Sequence, residues 1–316
     1  MIGEDSRMQA VLRYPVIFNP MARSQKVGRV LRFLMSHANR FALFATNHSG
    51  EARDLAAKFA EAGEPVVIAA GGDGTLNEVV NGLAGSGTLL GLLPAGTMNV
   101  FAREMGIPFD SLEQALEVID RGLVREVDLF EANGSPFAQM AGVGLDAMVI
   151  EETTWESKKR LGPLAYLLAA VKVLGDRPPK LLVTCADGRR EEGIAVLAGN
   201  GSLYGGPFRV FRNANNHDSL LDVLVFKESG YRLVLDSLRG LARGGIDLID
   251  SVSYFQAADF VVTCDQEVPV QVDGEWIGRF SDVHFRESTH RLRVIAPNAP
   301  IRHGLGVAMK SLLPWT

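Results

Sequence analysis

The first third of the chain alternates short apolar runs with amphipathic stretches. The apolar runs predict strands at 14–18, 41–45, 66–70 and 89–93. Between them, apolar residues recur with the 3.6-residue period of a helix over 26–38, over 51–62, and from the turn at 71–75 to Leu83. Strands separated by helices of this length form a parallel sheet covered on both faces. An α/β domain is therefore predicted over 8–125.

From about residue 125 the pattern changes to short runs of alternating apolar and polar residues. These runs are 127–131, 137–141, 181–185, 194–198, 221–226, 260–263, 268–272 and 292–295. Dipeptides typical of turns separate some of them, such as Asp187-Gly188 and Asp273-Gly274. An antiparallel β-sandwich is predicted over 126–296, with helices near 158–174 and 231–243. The apolar tail predicts that 297–316 returns to the first domain.

The most informative motif follows the third predicted strand and reads Gly71-Gly72-Asp73-Gly74-Thr75. Glycines let the backbone approach a ligand closely, and a helix N-terminus favours anionic oxygens such as those of phosphate. The spacing of Thr75 and Glu78 predicts a capping box, and Ser49 is a candidate cap for the preceding helix. Asp73 would repel phosphate unless a cation lay between them, so the turn predicts a magnesium–nucleotide site. The alternative is an ordinary βα turn with an exposed aspartate.

Polar residues also follow the other predicted strands of the first domain. Asn19 comes after the first strand, Thr46 after the second and Thr97 after the fourth. Ligands of parallel sheets bind at the carboxyl ends of the strands. These residues are therefore expected to converge on the same nucleotide.

Composition narrows the function classes. The chain has 316 residues, of which 47% are hydrophobic and 22% charged, and its formal net charge is −5. This negative net charge does not favour binding to nucleic acid. The two cysteines predict neither a zinc site nor a disulfide framework. The acidic start does not resemble a signal peptide, so a cytoplasmic location is expected. The apolar stretch 161–174 follows the basic residues 158–160 and could be a membrane-surface helix or a buried core helix.

Two acidic places in the second domain could carry chemistry. The loop 215–222 brings carboxylates, amides and carbonyls together, which suits Mg²⁺ or Ca²⁺, although a plain turn explains it equally well. Glu275 follows the hairpin turn Asp273-Gly274, and there it could project into a cleft as a general base. The chain has no Walker motif, no nucleophile elbow and no histidine spacing typical of a metal site. The match to G-x-G-x-x-A at 142–147 lies among antiparallel strands and is read as chance.

Taken together, these motifs resemble the diacylglycerol kinase catalytic-domain family, in particular the bacterial soluble lipid kinases, which are similar to sphingosine and ceramide kinases. Seven segments carry the resemblance in the family's order. They are 19–20, 71–78, 96–103, 144–147, 199–206 (Gly199-Asn200 with Tyr204-Gly205-Gly206), 218–222 and 272–275. The resemblance implies an α/β nucleotide domain plus a β-sandwich, with the active site in the cleft between them.

The resemblance also implies residue roles. Glu275 would take the proton from a lipid hydroxyl, and Asp73 would act through Mg²⁺ and the phosphates. A structural Mg²⁺ would be held by the Asp218 carboxylate with backbone oxygens of Asn215 and Leu220. ATP would be bound by Asn19, Thr46, Gly71, Gly72, Asp73, Gly74, Thr75, Asn77 and Thr97. The expected partners are a lipid such as diacylglycerol and the inner face of a membrane, contacted peripherally, and a homodimer is left open.

Three residues depart from the family pattern, and two rival functions remain. Arg212 stands for a proline, Ser219 for a glycine in the metal loop, and Val100 for a commonly polar residue. Kinases of NAD share the glycine turn but carry a T-P-T-G-S-T-A-Y-like stretch that this chain lacks. A nucleotide-binding regulator without catalysis is disfavoured, because both Asp73 and Glu275 are present.

Overall fold

The computed structural model describes residues 13–20, 27–144, 147, 178–228 and 250–298. The helices expected near 158–174 and 231–243 lie outside the described residues. So do the basic residues 158–160, and all but the first two residues of the segment 297–316.

The parallel sheet predicted for the first part of the chain is confirmed. Its strands are β1 (Tyr14–Phe18), β2 (Phe41–Ala45), β3 (Val66–Gly71) and β4 (Leu89–Pro94). They lie in the order β2-β1-β3-β4, and all are parallel. The helices between them are α1 (Val27–Ser36), α2 (Glu51–Glu61) and α3 (Asp73–Leu83). The predicted strand bounds agree with the observed ones to within one residue.

Two helices in the first part were not anticipated. They are α4 (Val100–Glu104) and α5 (Leu112–Arg121). The ends of α5 are well marked: Ser111 accepts a hydrogen bond from the Gln114 N–H, and Gly122 ends the helix with φ 63°. A serine N-cap and a glycine after the last turn are ordinary helix signals, so α5 was readable from the sequence.

The second part of the chain is antiparallel, as predicted. Its strands are β5 (Val124–Ala132), β6 (Ser135–Phe137), β7 (Met140–Val143), β8 (Leu181–Cys185), β9 (Arg190–Gly193), β10 (Ala195–Gly199), β11 (Leu203–Tyr204), β12 (Phe208–Arg209), β13 (Leu221–Phe226), β14 (Val252–Ala257), β15 (Asp259–Val272) and β16 (Glu275–Ile295). The run at 137–141 is divided between β6 and β7. The two runs at 260–263 and 268–272 form one strand, because β15 continues through a bulge between Thr263 and Val268.

The last strand joins the two parts of the molecule. β16 pairs with β15 along most of its length, with β5 near its C-terminal end, and with β4 in parallel at Val294 and Leu90. Leu292, Val294 and Ile295 belong to the same buried core as β1, β3 and β4. A separate core lies between the strands of the second part. The end of β16 therefore completes the hydrophobic core of the nucleotide domain.

Within the described ranges, we find no helix long and apolar enough to cross a membrane.

Candidate active site

The glycine turn connects β3 directly to α3. The helix begins at Asp73 with Gly72 as its N-cap, so the predicted capping box at Thr75 and Glu78 is wrong. The glycines serve close packing here rather than positive φ. A Cβ at Gly71 would lie 2.6 Å from the Thr75 Cβ, and one at Gly96 would lie 2.6 Å from the Gly72 Cα. The turns after β3 and β4 therefore touch through bare backbone.

Glu78 caps a different helix from the one expected. Its Oε2 accepts a hydrogen bond from the Ala52 N–H at 3.0 Å, in the first turn of α2. Ser49, predicted as the cap, instead donates its hydroxyl to Glu78 Oε1 at 3.3 Å, and the N-cap of α2 is Gly50. Glu78 therefore ties α3 to the start of α2.

Asp73 is partly buried between the two turns, in contrast to the exposed aspartate of the alternative interpretation. Its Oδ1 accepts a hydrogen bond from the Val100 N–H at 2.7 Å, and its Oδ2 accepts one from the Asn99 N–H at 2.9 Å. Burial raises the pKa of Asp73, while these backbone N–H groups act in the opposite direction. Asp73 thus fixes the start of α4 as well as the start of α3.

The other end of α4 contacts the second part of the molecule. The Glu104 carboxylate accepts hydrogen bonds from the Ser202 hydroxyl at 3.0 Å, the Leu203 N–H at 2.9 Å and the Gln139 side-chain amide at 3.3 Å. Sequence reasoning missed Glu104, which directly follows the motif segment 96–103, and Gln139, which lies between β6 and β7, because their hydrogen-bond partners are distant in the sequence. The helix α4 therefore links the two parts of the molecule: hydrogen bonds join its start to Asp73 in the glycine turn and its end to the β-sandwich.

The hairpin between β15 and β16 turns at Asp273 and Gly274, as predicted. Their φ values are 48° and 86°, and Val272 pairs with Glu275 across them, which is the geometry of a type I′ turn. The Asp273 carboxylate accepts hydrogen bonds at 2.9 Å from the N–H groups of Ala138, Gln139 and Met140. Burial raises the pKa of Asp273 to about 6 against the effect of these donors. The turn is therefore held against β7 by its own carboxylate.

Glu275 emerges from this turn and faces the start of α3. A Cβ placed on Gly74 would lie 3.5 Å from Glu275 Oε1. Burial raises the pKa of Glu275 to about 7, and the negative charges of Glu78 and Asp273 add to the effect. Part of Glu275 contacts solvent in the open cleft. The burial that raises its pKa comes from the protein walls on both sides of the carboxylate. Proton exchange near neutral pH is the property that a general base needs.

A cavity of about 590 Å³ separates the two parts of the molecule in front of Glu275. Its first wall is formed by Asp73, Gly74, Leu76, Asn77, Val80, Met98, Val100 and Phe101. Its second wall is formed by Ala138, Gln139, Met140, Tyr204, Gly205, Gln271, Asp273, Gly274 and Glu275. The cleft is mostly apolar, and among the described residues that line it the charged side chains are the three carboxylates of Asp73, Asp273 and Glu275.

The structure brings together only some of the residues implied to bind nucleotide. Asp73, Gly74 and Asn77 line the cleft. The others follow strand ends on the same edge of the parallel sheet without lining this cavity: Asn19, Thr46, Gly71, Gly72, Thr75 and Thr97. Thr97 is exposed, whereas Thr46 and Thr75 are buried.

The loop implied to hold a structural metal lies away from this cleft. Asp218 is exposed, and its Oδ1 accepts a hydrogen bond from the Leu220 N–H at 3.1 Å. Ser219 adopts φ 62°, so it takes the left-handed conformation that a glycine would take. Across the described part of the chain, no group of three or more histidine, cysteine, aspartate or glutamate residues could hold a metal. Asp218 and the backbone oxygens of Asn215 and Leu220 are an oxygen set with a single carboxylate.

Comparison with known families identifies the chain. The diacylglycerol kinase catalytic domain matches residues 13–132, and the YegS C-terminal, NAD kinase β-sandwich-like domain matches residues 139–299. The chain belongs to the diacylglycerol kinase catalytic-domain family. Membership of this family supports a nucleotide-binding kinase whose acceptor is a lipid or a metabolite.

Individual relatives agree with this assignment. The chain is 28% identical over 274 residues to a diacylglycerol kinase of Bacillus subtilis, covering 84% of this chain and 90% of the relative. It is 29% identical over 294 residues to one of Staphylococcus aureus, covering 90% and 93%.

Solved structures share the fold. A diacylglycerol kinase from Bacillus anthracis superposes with a TM-score of 0.73 at 24% identity, covering 92% of this chain and 98% of that one. An NAD kinase from Archaeoglobus fulgidus, solved with ATP, gives a TM-score of 0.52 at 11% identity, covering 95% and 99%. The α/β domain plus β-sandwich expected from the sequence is therefore the fold of this kinase family.

Proposed function

We propose that the protein is an ATP-dependent lipid kinase that phosphorylates a hydroxyl group of a lipid such as diacylglycerol. The observation that carries the proposal is the position and environment of the Glu275 carboxylate. It is a carboxylate whose pKa is raised to about 7, and it stands in a largely apolar cleft opposite the glycine turn. Such a group can accept a proton from an alcohol near neutral pH.

The glycine turn and the neighbouring strand ends form the ATP-binding part of the proposed active site. The start of α3 and the bare backbone at Gly71, Gly72 and Gly74 suit the phosphates of ATP. Asn19, Thr46, Thr75, Asn77 and Thr97 complete the proposed site. Asp73 would hold Mg²⁺, because carboxylate oxygen suits this hard cation. When bound, Mg²⁺ neutralises phosphate charge.

Glu275 forms the acceptor side of the reaction. It accepts the proton of the lipid hydroxyl as that oxygen forms its bond to the terminal phosphorus of ATP, and the bond to ADP breaks in line. Phosphoryl transfer needs alignment and charge stabilisation more than covalent help from the protein. The contacts of Asp273 with β7 and of Glu104 with the 202–203 segment keep the base and the glycine turn facing each other.

The lining of the cleft favours a lipid over NAD. Leu76, Val80, Val100, Phe101 and Met140 give it apolar walls, which suit the hydrocarbon part of a lipid. Val100, which stands where a polar residue is common, contributes to this apolar wall.

A lipid panel tests the proposal. Purified protein is incubated with labelled ATP and diacylglycerol, monoacylglycerol or a sphingoid base in mixed micelles, and in parallel with NAD. We expect label in the organic phase for at least one lipid and none in NAD. Label in NAD alone would establish the metabolite kinase, and ATP binding without transfer to any acceptor would establish the non-catalytic regulator.

We also propose peripheral contact with the inner face of the cytoplasmic membrane, because the acceptor would reside there. Trp276 is 51% exposed and directly follows Glu275 at the cleft. An indole ring with one polar edge favours the membrane–water interface. Trp276→Ala should reduce sedimentation with anionic vesicles, whereas Met35→Ala, at an even more exposed apolar residue on α1, should not. Equal binding of both variants would remove Trp276 from the contact.

A further inference from the structure

Asp128 on β5 anchors the loop for which the family resemblance implies a structural metal. Its side chain is 1% exposed. Its Oδ2 accepts a hydrogen bond from the Ser219 N–H at 2.7 Å, and its own backbone N–H donates to the Asn216 carbonyl at 2.8 Å. A single buried aspartate therefore holds the loop at two points, one on each side of Asp218.

Burying a carboxylate is costly unless hydrogen bonds or a positive charge compensate for the lost water. Oδ1 of Asp128 accepts no hydrogen bond within the described residues, and it lies 3.1 Å from Nε of Arg291 on β16. A second nitrogen of the same guanidinium, Nη2, donates to the Ser219 hydroxyl at 3.2 Å. Arg291 thus contacts both the anchor and the loop.

Ser219 is the residue that departs from the family's glycine. Its φ of 62° is unfavourable for a residue with a Cβ. Its two polar groups offset that strain, since the N–H binds Asp128 and the hydroxyl accepts from Arg291. A glycine would adopt the same φ without strain but would offer Arg291 no hydroxyl.

The remaining carboxylates of the loop are engaged elsewhere or face solvent. Asp222 is fully buried and accepts hydrogen bonds from the Tyr254 hydroxyl at 2.6 Å and the Gln256 amide at 3.1 Å. Asp218 is exposed and binds the Leu220 N–H. A divalent cation held by residues 215–220 would therefore have one carboxylate ligand and a guanidinium beside it, which is a poor fit for Mg²⁺ or Ca²⁺.

We propose that the guanidinium of Arg291, rather than a metal ion, supplies the positive charge that holds the 215–220 loop, with Ser219 and Asp128 as its partners. The loop also reaches toward α4, because the Asn216 amide lies 3.6 Å from the Met105 sulfur just after that helix. The stability of this region then depends on an ion pair built into the chain and is independent of metal supply.

Thermal melting without nucleotide tests the proposal separately from kinase activity. The wild-type protein is melted after treatment with EDTA and again with added Mg²⁺ or Ca²⁺. We expect one melting temperature in all three conditions. Asp218→Asn should melt at the same temperature as the wild type.

Arg291→Met leaves the Asp128 carboxylate buried without its counter-charge. We expect its melting temperature to fall by about 5–10 °C. Arg286→Met is the matched control: Arg286 lies on the same strand and pairs with Glu131, but that pair is exposed, so the change should be under about 2 °C. Restoring neutrality with Asp128→Asn in the Arg291→Met background should recover part of the loss. If Arg291→Met does not fold, Arg291→Lys, which keeps charge but loses the planar fork, replaces it.

Two results would overturn the proposal. One is a melting temperature that falls in EDTA and returns with Mg²⁺ or Ca²⁺ in the wild type but not in Asp218→Asn, which would assign the loop to a metal. The other is a fall in melting temperature in Arg291→Met that is no larger than the fall in Arg286→Met.

Discussion

At the scale of single residues, Glu275 combines a proposed catalytic role with a cost in stability. Its pKa is raised to about 7, above the ordinary value of 4.5, mainly by burial. The folded state binds this proton more tightly than the unfolded state does, so ionised Glu275 destabilises the fold. The free energy of unfolding therefore falls as pH rises from about 4.5 to about 7. The same shift keeps the group able to take up a proton at neutral pH.

Activity should therefore follow the ionisation of Glu275. We expect kcat to fall about tenfold for each pH unit below about 7 and to level off above it. Glu275→Gln should remove this dependence. The variant should also melt at the same temperature as the wild type near pH 4.5 and at a higher temperature at pH 8. Full activity in Glu275→Gln, with a lower melting temperature, would show that Glu275 stabilises the hairpin and takes no part in catalysis.

Asp73 combines a structural and a proposed catalytic role. Asp73→Ala should lower turnover by about 100-fold or more through lost electrostatic stabilisation. It should also lower stability by about 0.5–2 kcal/mol, because the Asn99 and Val100 N–H groups lose their acceptor. Asp73→Asn keeps one acceptor oxygen and should recover part of the stability and none of the activity. Wild-type turnover in folded Asp73→Asn would contradict the proposed role.

The sequence predicted the turns that hold the candidate residues better than it predicted the contacts of those residues. Asp73 and Glu275 were proposed because a glycine turn and a hairpin turn have local signatures. That Asp73 caps α4 and Glu78 caps α2 could not be read, because each carboxylate binds N–H groups more than twenty residues away. Glu104 and Gln139 act only through long-range contacts and carry no local signal.

At the scale of elements, the hairpin between β15 and β16 depends on Asp273. Asp273→Ala should lower stability by about 2–4 kcal/mol, because three backbone N–H groups lose their acceptor and alanine disfavours φ 48°. Asp273→Asn should be milder, since Asn-Gly suits a type I′ turn. Thermal melting of both variants checks this, and a melting temperature of Asp273→Ala equal to that of the wild type would show that the carboxylate does not hold the turn.

The short helix α4 should matter more for the cleft than its length suggests. Glu104→Ala removes the acceptor for Ser202, Leu203 and Gln139. The neighbouring Tyr204 and Gly205 line the cleft, so we expect a higher KM for the lipid and an unchanged Kd for ATP. Equal changes in both constants would place α4 on the nucleotide side instead.

Periodicity predicted the parallel strands to within one residue because each is a short apolar run next to a helical stretch. It failed where tertiary pairing overrides local pattern. The runs at 260–263 and 268–272 were predicted separately, yet β15 continues through both as one bulged strand paired with β16. The run at 137–141 looked continuous but divides where Asp273 binds the N–H groups of Ala138 and Gln139.

At the scale of the whole molecule, β16 makes the two parts interdependent. Its final residues complete the core of the nucleotide domain, while the rest pairs in the sandwich. We expect a single calorimetric unfolding transition, with Leu292→Ala lowering the stability of the whole by about 2–5 kcal/mol. Two transitions, of which only one moves in Leu292→Ala, would show that the parts unfold independently.

The proposed chemistry takes place where the two parts meet, with the glycine turn on one wall of the cleft and Glu275 on the other. The most direct test is transfer of labelled phosphate from ATP to a short-chain diacylglycerol by the wild type and by Glu275→Gln, with ATP binding measured on the same preparations. We predict a labelled lipid product, a loss of about 10²–10⁴ in its rate of formation in the variant, and an unchanged Kd for ATP. Equal rates of lipid phosphorylation by the two proteins would contradict the account.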